Sequence, residues 1–250
     1  MAVVNFNSIF EKRFSNYVGH KLELIFDIAA VDEVISNLKK VKATGADNIS
    51  CEHLQYAHPI VCSCITMLFN LIVTLKHVPA AFGEGIIISI PKGDRKHNND
   101  KLENYRGITT SCIMSKIFES CLLRYMKKYF LTLDRQFGFK QKVGCSNAIY
   151  SLRKTVEYFT SKGSTVNICS LDLSKAFDKI NFKMLFAKLM DRKLPRVFIE
   201  ILINWHGRLN SFVRWNDAIS SSFKSLQVLD KEEFYLQSYS QYVLTIYKQS

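Results

Sequence analysis

Residues 166–173 make a largely apolar run with a carboxylate, Asp172, next to its end, and a second carboxylate, Asp178, follows within the next turns. The run reads as a buried β-strand, which puts Asp172 at its carboxyl end, where open sheets bind ligands. A carboxylate at the mouth of a buried strand is costly unless a cation, a partner charge or hydrogen bonds meet it. A divalent ion such as Mg²⁺ is one such partner, because it takes hard oxygen ligands and shares them with phosphate. The run therefore reads as half of a phosphoryl-transfer site, with the aromatic Phe177 five positions past Asp172. The plainer alternative is a helix N-terminus capped by Ser174, with Asp178 favoured by the helix dipole.

The rest of the 250 residues predicts a mixed order. Helices come first, then strands and helices together, which implies the α+β class. Residues 31–39 have helical spacing, Ser50 is placed to cap a helix from Cys51, and His58-Pro59 should break it before a buried helix over 60–76. Residues 85–91 read as a β-branched strand stopped by Pro91, and 92–104 as a charged loop. Amphipathic helices are expected over 111–130, 147–160 and 182–193, with another starting at Pro195. From residue 225 the text turns Tyr/Gln/Ser-rich and loses this rhythm, so a loosely ordered tail is expected.

Charge narrows the partners. Residues 85–144 hold twelve Lys/Arg against five Asp/Glu, within a chain of net charge +12. Such a field attracts polyanions, nucleic acid first and anionic membrane second, although a solvated basic surface has the same composition. Seven cysteines, an odd number, and no signal-peptide pattern at the start point to an intracellular protein of the cytoplasm or nucleus. No apolar stretch reaches the ~20 residues of a membrane span.

Two further groups could carry chemistry. Pro91-Lys92-Gly93-Asp94 and Asn104-Tyr105-Arg106-Gly107-Ile108 put Lys92 and Arg106 on short turns beside glycine, where they can approach phosphate oxygens; a hairpin rim of solvated charges is the alternative. Gln136-Phe137-Gly138-Phe139-Lys140 interleaves aromatic and basic groups, as single-strand binders do and as core corners also do. Cys51, His53, His58, Cys62 and Cys64 tempt as a metal cluster, but they lack the paired-cysteine spacing and Pro59 interrupts any shared face.

Taken in order, these segments resemble one family. Leu171-Asp172-Leu173-Ser174-Lys175-Ala176-Phe177-Asp178 resembles motif A of the reverse transcriptases of non-LTR (LINE-type) retrotransposons. Thr44-Gly45-Ala46-Asp47-Asn48-Ile49-Ser50 resembles the amino-terminal motif of that clade. The Lys92 and Arg106 segments, with Lys116-Ile117-Phe118-Glu119, resemble its fingers motifs. Gln136-Phe137-Gly138-Phe139 resembles the stretch between fingers and palm, and Leu202-Ile203-Asn204-Trp205 and residues 213–223 the stretch after motif A. The resemblance implies right-hand polymerase fingers with an incomplete palm: an N-terminal segment over 1–30, mainly fingers over 31–165, partial palm over 166–223, and an unrelated tail over 224–250.

The resemblance also implies roles. Asp172 would ligate Mg²⁺, with the Leu173 carbonyl helping to hold a second ion. Phe177 would exclude a ribose 2′-OH, Lys92 and Arg106 would grip the incoming dNTP, and Phe137, Gly138, Phe139 and Lys140 would lie near the template. RNA template and DNA primer are the implied partners. Past Lys224 the family continues into a Gly-Val-Arg-Gln-Gly segment and an aromatic-Ala-Asp-Asp turn, and this chain has no Asp-Asp pair anywhere. Two-metal phosphoryl transfer draws carboxylates from both places. The expectation is a truncated reverse transcriptase, inactive alone, with a non-catalytic RNA-binding remnant or a translated pseudogene product as alternatives.

Overall fold

The computed structural model describes residues 6–21, 25–91, 104–129, 137–138, 142–171 and 181–224. Helices α1 (Phe6–Ser15), α2 (Ile28–Ser36), α3 (Cys51–Gln55) and α4 (Pro59–Leu75) come first. A 3-10 turn, Ala80–Gly83, leads into β1 (Glu84–Pro91), which is followed by β2 (Tyr105–Ser111) and α5 (Ile113–Met126). Then come α6 (Cys145–Ser161), α7 (Phe182–Asp191), α8 (Arg196–His206), β3 (Asn210–Trp215), β4 (Ala218–Ile219) and β5 (Phe223–Lys224). Helices and a small mixed sheet are compatible with the α+β expectation.

Local chemistry sets most helix ends. Ser50 caps α3, and its backbone N–H donates to His53 Nδ1 at 3.1 Å. Pro59 opens α4 at a position where its missing N–H costs nothing, and His58 Nδ1 accepts the N–H of Ile60 at 3.2 Å. His53 and His58 thus serve as capping acceptors. Asn181 caps α7 through Lys183 and Met184, and Pro195 precedes α8.

The helices share one apolar core. Phe118, fully buried in α5, meets Phe26, Phe69, Phe82 and Trp205 with ring centroids at 6.0, 5.1, 6.1 and 5.7 Å. Helix α1, which the sequence reading leaves unassigned, lies against α7 through Phe10 and Phe186 (6.3 Å) and an Arg13–Asp191 ion pair. Glu200 of α8 meets Lys76 at 2.6 Å and Arg196 at 2.9 Å. Partial burial pushes its carboxyl up, but these two cations hold it below its ordinary range. Helix α6 stands apart, with no buried residue and with Ile149, Leu152 and Phe159 exposed.

The sheet runs β2-β1-β3-β4, with β5 on the same edge of β3 as β4. β1 pairs antiparallel with β2 and parallel with β3. Burial falls along β1 from Ile86 and Ile87, which are buried, to Ile90, which is exposed, and β3 falls likewise from Ser211 to Trp215. The sheet therefore projects from the core with its far end in solvent.

One strand expectation is corrected. Residues 166–171 are irregular rather than a strand, and Ile168 and Leu171 are 61% and 91% exposed. A strand is stabilised by its ladder partners. The parallel neighbour of β1 is β3, and among the described residues no strand pairs with this run.

The carboxyl end of α8 should make the fold pH-sensitive. His206 packs against Phe182 and Phe186, its Nε2 has no hydrogen-bond partner among the described residues, and burial pushes its pKa down from 6.5 to about 4. The unfolded chain binds this proton more readily, so the stability present above pH 6.5 is lost as pH falls toward about 4. Allowing for its partial exposure, the loss is on the order of 2 kcal/mol. Urea unfolding at pH 7 and pH 5 should show it, and His206→Leu should flatten the difference; an unchanged slope would remove His206 as its source.

Candidate functional site

The far end of the sheet holds Arg106, one of the basic residues singled out by sequence. The β1–β2 register pairs Pro91 with Tyr105 and Ile90 with Arg106. The described part of the first segment, Ile88–Pro91, is thereby brought beside the second, on which Arg106 is exposed; Lys92 is the next residue in sequence after Pro91. Tyr105 reaches over the sheet to Trp215 of β3 in an edge-on contact at 5.2 Å.

The base of this hairpin is anchored at two points. The Trp205 indole N–H donates to the Phe82 carbonyl at 3.1 Å, and the Asn204 side-chain oxygen accepts the Val78 N–H at 2.8 Å. Asn204-Trp205 thus ties α8 to the segment that enters β1, a role its local sequence does not disclose. The Thr44–Ser50 segment meets the same base from the β2 side, where Gly45 lies against the backbone of Ser111 and Cys112. Just before it, the Val41 N–H donates to the Glu52 carboxylate at 2.6 Å, and that bond leads the interactions that hold Glu52 down at about 2.

Other predicted residues are less tightly placed. Phe137 is half-buried and Gly138 exposed in a turn. Lys92, Phe139, Lys140, Asp172, Leu173 and Phe177 lie outside the described residues. Leu171, the residue before Asp172, is exposed, and Asn181 opens α7 on the far side. A carboxylate and a carbonyl have the hard-oxygen chemistry Mg²⁺ requires. Among the described residues, however, no group of three or more His, Cys, Asp or Glu is placed to hold a metal ion. Nor is any described helix long and apolar enough to cross a membrane.

Comparison with known proteins decides what this arrangement belongs to. Residues 90–226 match the family described as reverse transcriptase (RNA-dependent DNA polymerase). This chain belongs to the reverse transcriptase family. The matched stretch includes Lys92, Arg106, Phe137–Lys140 and Asp172–Phe177, and it stops two residues after Lys224, where the sequence changes character.

Two mobile-element polymerases are similar over most of the chain. The probable RNA-directed DNA polymerase from transposon X-element of Drosophila melanogaster is 28% identical over 203 residues, 78% of this chain and 22% of the relative. The RNA-directed DNA polymerase from mobile element jockey of Drosophila funebris is 24% identical over 205 residues, 79% of this chain and 22% of the relative. This reverse transcriptase chain therefore spans 22% of the length of each curated relative, and both similarities support a LINE-type reverse transcriptase domain.

Proposed function

We propose that the chain is the fingers and part of the palm of an RNA-directed DNA polymerase of a non-LTR retrotransposon. The observation that supports this reading is the β1–β2 register, which sets Ile90 and Pro91, the residues before Lys92, opposite Arg106 and Tyr105 inside the family-matched stretch. Lys92 and Arg106 would neutralise the triphosphate of the incoming dNTP, Arg106 through its two-pronged guanidinium. Phe177 would set the preference for deoxyribose by occupying the space a 2′-OH needs. Phe137–Lys140 would meet the RNA template, with a DNA primer completing the substrate.

Asp172 and the Leu173 carbonyl would hold Mg²⁺, which when bound supplies charge neutralisation at the transferring phosphoryl group. These 250 residues contain no Asp-Asp pair, so the second set of carboxylates is missing from them. The chain alone is expected to bind RNA without extending a primer.

Primer extension on an RNA template with Mg²⁺ and dNTPs tests this, read beside retention of the same RNA. No added nucleotides together with salt-sensitive retention is the expected pair of results. Extension that Asp172→Ala abolishes would overturn the predicted inactivity. A chain that retains no RNA at low salt would overturn the nucleic-acid reading itself.

A further inference from the structure

One face of the sheet carries arginine on both strands that flank β1. Arg106 of β2 lies opposite Ile90 of β1, and Arg214 of β3 lies opposite Ile88 of the same strand. Residues two apart in a strand share a face, so Ile88, Ile90 and both arginines stand together. Ile108 joins them as the β2 partner of Ile88. Both arginines are exposed, and neither side chain makes a hydrogen bond, ion pair or ring contact with another described residue. Between them Ile90 is 43% exposed, while Ile88 and Ile108 are half-buried. Along β1, β2 and β3 the single carboxylate on this face is Glu84, at the opposite end of β1.

We propose that this face docks single-stranded nucleic acid, with Arg214 gripping backbone phosphates beside Arg106. The inference deepens the reverse transcriptase reading and rests on it. Two inter-strand spacings and a two-residue offset separate the arginine Cα atoms by about 12 Å. A strand with stacked bases carries one charge per about 3.4 Å of its axis, so Arg214 stands roughly three phosphates along from the triphosphate site at Arg106. The isoleucines between them offer an apolar floor to sugars and bases, which a compact triphosphate would leave uncovered. Arg214 therefore belongs to the strand rather than to the incoming nucleotide.

Fluorescence anisotropy of a labelled oligouridylate with the 250-residue chain, at several salt concentrations, tests the assignment. Arg214→Gln should weaken binding about two- to fivefold. It should also make the slope of log K against log salt shallower by about 0.7. Arg214→Lys, which keeps the charge, should retain the slope. Lys39→Gln, an exposed charge outside the sheet, serves as the control with the same loss of charge. Equal effects from Arg214→Gln and Lys39→Gln would overturn the assignment, as would a variant that binds RNA normally but resists displacement by dTTP differently from wild type. A wild-type chain that binds no oligouridylate at low salt would instead overturn the functional reading on which the inference rests.

Discussion

Phe118→Ala should lower the unfolding free energy by about 3–5 kcal/mol, the range for removing a buried phenylalanine. Phe118 is fully buried in the middle of α5 and touches aromatic rings from four other parts of the chain: Phe26 before α2, Phe69 in α4, Phe82 before β1 and Trp205 in α8. Those neighbours come from separate elements, so they cannot close the space by a single side-chain movement, and the cavity term adds to the lost burial. Natural domains have about 5–15 kcal/mol in total, so this change approaches the whole margin. Urea unfolding should show a large fall in midpoint with little change in slope. Phe118→Leu, which keeps most of the volume, should cost about 1.5 kcal/mol or less. A Phe118→Ala loss below about 1 kcal/mol would mean that the cluster repacks and is not the keystone its geometry describes.

The same contacts show why some of the fold is legible in sequence and some is not. Ser50, Pro59 and Pro195 mark helix boundaries because capping and ring geometry act within a few residues, and all three stand where expected. Helix α1 depends on distant partners instead: its Phe10 and Phe14 gain their burial from α7 and α8, over 170 residues away. The apolar run 166–171 was misleading for the opposite reason. Its composition records a need for burial, but composition does not supply a ladder partner, and the pairing with β1 goes to β3. At the candidate site, Arg106 is legible because its flanking Asn, Tyr and Gly form an ordered motif. Arg214 carries no local signal. Its position beside Arg106 emerges only when β3 settles parallel to β1, and Asn204-Trp205 likewise gains its anchoring role only through Val78 and Phe82.

Gly45→Ala should cost about 3 kcal/mol, at the upper end of overpacking penalties, although Gly45 has no unusual backbone angle to explain it. The cause is proximity. A Cβ at this position would stand 2.7 Å from the Cys112 nitrogen and 2.8 Å from both the Cys112 Cα and the Ser111 carbonyl carbon. All three are backbone atoms at the corner where β2 ends and α5 begins, so no side chain can swing away to make room. Nor can the loop easily retreat. Its Asn48 N–H donates to the Gly45 carbonyl at 3.2 Å, and Val41 is fixed to Glu52 on one flank. The loop must instead lift from the corner that supports β2, and with it the strand that carries Arg106. For a chain of this size a loss of about 3 kcal/mol corresponds to a fall in Tm of roughly 6–12 °C. Hydrogen exchange should quicken at residues 41–50 and at Ser111 and Cys112, before it quickens in the Phe118 cluster. Oligouridylate binding should fall less than stability does, because Gly45 supports the strand from its inner end while the arginines stand at its outer end. An unchanged Tm would show that the corner yields, and that the close approach at Gly45 does not hold the loop to the sheet.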